Sequence, residues 1–299
     1  MLKSPCGGAA FDQVSKLQRV RAALEAADLV LIGASNGLDM AEGLNLFVPD
    51  AHFRDAYGDV ASACGAGSIL EGMYRSRGEI ARLWAWYARF ACREWLGYEP
   101  GPVLRPLRDF VSGAHYFIVT CNIDARFERA GFDQSRVLET EGSVARMTCS
   151  AGCCDDAYPT RDVVRSLDAS ARDGLVDPEL VPRCPHCGAA LVCAVDEALM
   201  AHPDAATMGK LETLYRLAAE HARNGSNVVV LELGVGLRNG VVKALLAKAA
   251  SAISRAPGAN LTYAVFNYNQ VVFPSSMERF CVGVEGDMAE AFRTMEAFS

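Results

Sequence analysis

Two close cysteine pairs carry the clearest chemistry in the chain. Cys149-Ser-Ala-Gly-Cys153 is followed, after thirty intervening residues, by Cys184-Pro-His-Cys187-Gly. Two such pairs make a four-thiolate tetrahedral set. A closed set of sulfurs suits zinc held for structure, because no coordination position stays open for catalysis. The second pair is a knuckle turn, C-P-x-C-G, whose backbone N–H groups point at the sulfur. The first pair has three residues between its cysteines rather than the usual two, and Cys154 competes with Cys153 as ligand. His186 reads as an exposed loop residue and Cys193 as a small packed one. Five of the eleven cysteines crowd into 149–187, a pattern of metal binding rather than of a disulfide framework.

A second group of residues sits where strand-like runs end. Ile32-Gly33-Ala34-Ser35-Asn36-Gly37 follows a short apolar run and precedes a helical pattern. A glycine there lets a pyrophosphate approach the backbone, and the following helix offers N–H groups and the positive end of its dipole. The segment is not a full G-x-G-x-x-G fingerprint. Gly234-Val235-Gly236 ends a later run, Asn122 follows Thr120, and Asn267 follows Phe266. Ligands of open α/β sheets bind outside the carboxyl ends of strands, and Gly33, Asn122, Gly234 and Asn267 all lie at such ends.

The elements that must position these groups can be read from periodicity. Residues 12–28 place Val14, Leu17, Val20 and Leu24 at helical spacing, and the buried strand Leu29-Val30-Leu31-Ile32 follows. Residues 37–44 open another helix. The stretch 78–96 is helical, with Ile80, Leu83, Trp84, Tyr87 and Ala91 on one face. With Tyr74, Trp86, Phe90 and Trp95 it makes a packed aromatic helical module. Pro100-Gly101-Pro102 breaks that pattern. Strands are expected at 116–120, 137–140, 227–233 and 261–266, and helices at 206–223 and 241–253. Residues 146–195 are dense in Cys, Pro and Gly and show no sustained period, as in a small module held by something other than a core. Strands alternating with helices imply an α/β fold, a mostly parallel sheet with helices on both faces.

The 299 residues, 51% apolar, suffice for one large domain with an inserted module or for two ordinary domains. A net charge of −7 argues against a nucleic-acid partner, which needs clustered Lys and Arg. No run reaches the length that spans a bilayer, and residues 1–11 lack an apolar signal core. The expectation is a cytoplasmic protein with no membrane partner.

Taken together, these words resemble the sirtuins. The counterparts of that family's motifs are Gly33-Ala34-Ser35, Thr120-Cys121-Asn122-Ile123-Asp124, Glu139-Thr140-Glu141-Gly142-Ser143, the two cysteine pairs, and Gly234-Val235-Gly236. Gly37-Leu38 with Ala41-Glu42-Gly43-Leu44, Trp84-Ala85-Trp86-Tyr87, Ala130-Gly131-Phe132-Asp133 and Glu232-Leu233-Gly234-Val235-Gly236 look most like the class M branch, which is linked to macrodomain proteins. The resemblance implies a Rossmann-like NAD-binding domain (12–44, 104–145 and 200–299). It also implies a smaller domain made of a helical module (45–103) and a zinc-binding module (146–199). NAD would lie between the two domains. Gly33, Ala34, Ser35 and Gly37 would face its pyrophosphate with Gly234 and Gly236 beside them. Asn122 would meet the nicotinamide-side ribose, Asp124 the carboxamide, and Asn267 the adenosine ribose.

The catalytic pair implied by the resemblance is Asn122 and Glu141. Deacetylating sirtuins carry a His at the position of Glu141, and class M proteins a Gln. A carboxylate there is suited to accept a proton if burial raises its pKa, or to stabilise positive charge developing on the ribose. Ser35 stands where the family has a further Gly, and Ala194 where class M proteins tend to carry Arg. The leading expectation is NAD-dependent ADP-ribosyl transfer to a protein acceptor, a lipoyl-carrier protein with an associated macrodomain hydrolase. A lysine deacylase using Glu141, and a non-catalytic NAD or ADP-ribose binding protein, are the alternatives.

Overall fold

The computed structural model describes residues 2–3, 10–237, 240–258 and 260–298. In chain order the strands are β1 (Leu2–Lys3), β2 (Leu29–Ala34), β3 (His115–Thr120), β4 (Val137–Glu139), β5 (Gly142–Cys149), β6 (Tyr158–Pro159), β7 (Leu191–Val195), β8 (Asn227–Leu233), β9 (Asn260–Asn267), β10 (Phe273–Pro274) and β11 (Cys281–Glu285). The α-helices are α1 (Ala10–Glu25), α2 (Asn36–Ala41), α3 (Ala51–Cys64), α4 (Ile69–Arg75), α5 (Ile80–Phe90), α6 (Leu104–Phe110), α7 (Arg126–Arg129), α8 (Arg161–Ser170), α9 (Ala205–Arg223), α10 (Gly240–Ser254) and α11 (Met288–Glu296). No helix among the described residues is long and apolar enough to cross a membrane.

Six strands form one parallel sheet in the order β11-β9-β8-β2-β3-β4. Strand periodicity explains its two covered faces. Val30, Ile32 and Ala34 of β2 point into a core with α1, α6 and α11, while Leu29 and Leu31 point into a second core with α9 and α10. Burial on both faces is why β2 and β8, apart from Glu232, read as largely apolar runs. From β2 the chain builds outward to β3 and β4, then returns to the other side of β2 for β8, β9 and β11. The reversal opens a crevice between the carboxyl ends of β2 and β8.

A third core unites the aromatic helices with the cysteine-rich segment. Trp84, Trp86, Phe90 and Trp95 are buried together with Val164, Leu167, Leu191 and Cys193. The indole of Trp84 donates to Leu191 O at 2.8 Å, and Tyr57 stacks on Trp86 with ring centroids 5.9 Å apart. The small sheet β6-β5-β7 and α8 belong to this core. The cysteine-rich stretch is therefore more than a metal-held loop. Its strands of two to eight residues are too short and too interrupted by Gly and Pro to show a period.

Other expectations change in detail. Val14 and Tyr74 are exposed, although each was expected on a packed face. The helix expected over 78–96 is α5 continued by a π-helical turn, Ala91–Leu96, which buries Glu94. Strand β11 and helix α11 close the chain; Gly283 at the centre of β11 hides its alternation.

Gly33, the penultimate residue of β2, lies beneath α10. A Cβ there would stand 2.2 Å from Leu246 Cδ1 and 3.1 Å from Val242 Cγ1. The glycine lets α10 settle against the sheet. Gly33→Ala is expected to cost about 1–3 kcal/mol in denaturant unfolding, as overpacking does. Adding Leu246→Ala should recover part of that loss; a double variant no better than the sum of the single ones would contradict the assignment.

Candidate functional site

Two glycine turns meet at the crevice. Gly37, in α2, lies so close to Gly234 that a Cβ on it would stand 2.5 Å from Gly234 Cα. The reverse substitution would stand 2.3 Å from Gly37 Cα, and Gly234 has φ +65°, a left-handed conformation. Gly37 N donates to Gly234 O at 3.3 Å and Ser35 N to Leu233 O at 3.3 Å. Cavities of about 540 and 380 Å³ flank this contact. The larger is bounded by Ser35, Asn36, Phe47, Gly234, Gly236 and Gln270. The smaller is bounded by Gly37, Asn267, Tyr268, Gly286 and Asp287. Ser35, Gly37, Gly234, Gly236 and Asn267 are thus brought to one crevice. Ala34 is buried at the end of β2, and the space beside Gly33 is taken by Leu246.

Beyond β3 the chain enters a buried polar network. Asn122 Nδ2 donates to Asp39 Oδ1 at 2.5 Å and to Ser35 O at 3.4 Å. Burial and the neighbouring Asp124 push the Asp39 pKa well above the carboxylate range, and burial also raises Asp124. Two carboxyl groups in one buried space do not both carry full charge. Asp124 Oδ1 accepts from Arg126 N at 3.1 Å. Asp124 Oδ2 stands 3.5 Å from Arg126 Nε but is buried without a hydrogen bond. Ala125, between these residues, has φ +56°, so the backbone is strained where Asp124 and Arg126 diverge.

Arg126 bonds Glu94 Oε2 at 2.7 Å and lies over the Tyr98 ring at 4.4 Å. Glu94 also receives Tyr57 OH at 2.7 Å and pairs with His52 Nε2 at 2.7 Å. Burial works to raise the Glu94 pKa, but His52, Arg126 and Tyr57 outweigh it and keep it low. Sequence reasoning found Asn122 and Asp124 and missed Asp39, Glu94, Arg126 and His52. The available signal was an acidic residue inside a helix otherwise free of acidic residues, at Asp39 and Glu94.

Glu141 sits half-buried in the β4–β5 turn, where its carbonyl accepts from Asp196 N at 3.0 Å. Its charge acts on Cys121, whose pKa rises to about 12, mainly through burial. Cys121 is therefore held as a neutral thiol and is no nucleophile at neutral pH.

In the small module, Cys149 Sγ lies 3.5 Å from Cys187 Sγ, and Cys153 Sγ lies 3.5 Å from Cys184 Sγ. All four sulfurs fall within 4.8 Å of one another. Tetrahedral zinc with Zn–S of about 2.3 Å sets sulfurs about 3.8 Å apart, so the set fits zinc. The Cys153 N–H pulls the Cys149 thiol down to about 6, while neighbouring sulfurs push Cys153 up. Cys154 points instead to Asp156 and His186, and His186 Nε2 pairs with Asp156 at 2.7 Å. This geometry favours Cys153 over Cys154 as the fourth ligand.

Cys154→Ser should therefore keep about one zinc per chain in a chelator-indicator assay, whereas Cys153→Ser should lose it. Equal loss in both would contradict the assignment. His52 has a raised pKa, chiefly through its hydrogen bond to Glu94. A raised pKa stabilises the fold below the ordinary histidine value, about 6.5, and that contribution fades as pH climbs through the folded value. The difference in Tm between the wild type and His52→Gln should be largest near about pH 5.5 and shrink above about pH 7.5. A pH-independent difference would show that charge plays no part.

No protein-family model matches the chain. It is 25% identical over 226 residues to a protein ADP-ribosyltransferase of Staphylococcus aureus (strain Mu50 / ATCC 700699), covering 75% of this chain and 70% of that protein. It is 28% identical over 234 residues to a "Probable bifunctional ADP-ribose hydrolase/ADP-ribosyltransferase" of Fusarium oxysporum f. sp. cubense, spanning 74% of this chain but only 38% of that protein. Among solved structures, Sir2Tm bound to a propionylated peptide superposes with a TM-score of 0.57 at 19% identity, over 95% of this chain and 98% of that one. A Sir2–p53 peptide–NAD+ complex gives 0.55 at 18% identity, over 94% and 98%. The parallel sheet with its crevice and cysteine-paired module is the sirtuin fold.

Proposed function

We propose that the chain is an NAD-dependent protein ADP-ribosyltransferase of the class M sirtuin type. The observation that carries this reading is Asp124 Oδ2, a buried acceptor without a hydrogen bond, two residues after Asn122, whose side chain donates to Ser35 O at the edge of the larger cavity. An orphaned buried acceptor costs roughly 1–3 kcal/mol, which an amide N–H donor such as a carboxamide would offset. The residues present therefore fit NAD. Similarity to the Staphylococcus aureus ADP-ribosyltransferase supports the same reading.

In this reading residues 12–44, 104–145 and 200–299 hold the nucleotide. Residues 45–103 and 146–199 form the small domain. NAD, when bound, supplies an activated glycosidic bond whose cleavage frees nicotinamide and leaves ADP-ribose for transfer. Asp124 holds the carboxamide, and its burial limits the negative charge it presents. Asn122, pinned by Asp39, meets the ribose. Ser35, Gly37, Gly234 and Gly236 offer backbone to the pyrophosphate, and Asn267 meets the adenosine ribose. Glu141 places a carboxylate where positive charge builds on the ribose and removes a proton from the acceptor. Zinc is structural, held by Cys149, Cys153, Cys184 and Cys187. The acceptor is a lipoyl-carrier protein, and a macrodomain hydrolase reverses the modification. The Fusarium relative, described as both hydrolase and transferase, supports that pairing of activities. A cytoplasmic location suits such partners.

A lysine deacylase is the second reading, favoured by the likeness in fold to sirtuins bound to acylated peptides. The two separate with labelled NAD. Transfer of label to a lipoyl-carrier protein is expected, and Asp124→Asn should slow it about 10–100-fold, because the amide loses its acceptor. Nicotinamide release that requires an acylated lysine peptide would favour the deacylase. NAD binding with no release under either condition would leave a nucleotide-binding protein.

A further inference from the structure

Glu232 is fully buried on β8, the second residue from its end. A carboxylate there is costly unless it is paired and hydrogen-bonded. Lys243 of α10 supplies the pair, and Tyr263 of β9 donates its hydroxyl to the other carboxylate oxygen. The Lys243 ammonium also donates to Val272 O at 3.0 Å. In the sheet register Glu232 lies opposite Gly33 of β2. The missing side chain at Gly33 is what lets α10 descend far enough to bring Lys243 to that depth.

The position of the network matters more than its strength. β8 runs directly into Gly234–Leu237, one wall of the larger cavity. Val272 lies two residues beyond the segment Tyr268–Gln270, which borders both cavities and follows Asn267. Tyr268 is 74% exposed, whereas Val271, Val272 and Phe273 are buried. The segment therefore hangs between two anchors, the end of β9 and the Lys243–Val272 bond. We infer that Lys243 and Glu232 are positioning residues for the nucleotide crevice: Lys243 ties the 268–272 segment to the end of β8, so that both walls hold a fixed separation. This inference concerns residues that touch neither cavity, and its functional arm rests on the proposed nucleotide site.

The test uses the full, zinc-loaded chain and two measurements, hydrogen exchange of backbone amides and calorimetric titration with ADP-ribose. Lys243→Met should raise the ADP-ribose Kd about 10-fold or more, the scale of a lost bond from a charged donor. Exchange should quicken at 268–272 and 234–237 and stay unchanged at 142–195. Lys243→Arg, which keeps a cationic donor, should restore most of both. Should Lys243→Met fail to fold around an unpaired Glu232, the double variant Glu232→Gln/Lys243→Met leaves no buried charge and still lacks the bond to Val272 O. It is expected to show the same local loosening. A folded variant of either kind with wild-type exchange at 268–272 and wild-type affinity overturns the inference. If the wild type itself binds no ADP-ribose, the proposed nucleotide site fails, while the exchange comparison still decides the tether.

Discussion

Everything at the crevice depends on the contact between two stretches of bare backbone. Gly37 and Gly234 touch where the order of strands reverses, and neither can carry a side chain without displacing the other. That contact sets the floor of both cavities. It also fixes where α2 begins, which brings Asp39 beneath Asn122. The sheet is rigid because both faces are packed, so the two turns inherit their positions from cores on either side.

The charged network beneath the crevice is organised by burial. Asp39, Asp124, Arg126 and Glu94 are all nearly inaccessible. Three carboxyl groups around one guanidinium cannot all carry full charge in a low-dielectric space, and the raised pKa values of Asp39 and Asp124 express that constraint. Glu94 resolves it differently, drawing on His52 and Tyr57 as well as Arg126. The small module meets this network from the other side: Glu94 belongs to the turn that leads from the aromatic core, and that core is shared with the cysteine-rich strands. A metal holding Cys149 and Cys184 would thus stiffen one flank of the site from a distance.

Much of this was legible in the sequence where the signal is local. The cysteine pairs declare themselves because their ligands are three or four residues apart, and the parallel sheet does so because strands buried on both faces are mostly apolar. The strand ends pointed to Asn122, Gly234 and Asn267 for the same reason. What was not legible is long-range. Asn122 meets Asp39 across 83 residues of chain, and Arg126 meets Glu94 across 32. No spacing rule connects such partners. Gly33 shows a second kind of long-range partner: its place in the motif suggested room for a phosphate, and the structure adds that Leu246 occupies the space a side chain there would need. A glycine signals that something comes close without saying what.

The central claim is that Asp124 Oδ2 awaits an amide donor from a nucleotide seated over the glycine contact. A crystal structure of the zinc-loaded chain with NAD bound tests it most directly. The account predicts the carboxamide nitrogen within hydrogen-bond distance of Asp124 Oδ2 and the pyrophosphate beside Gly37 and Gly234. A nucleotide seated elsewhere, with Asp124 Oδ2 still unpaired, would contradict it.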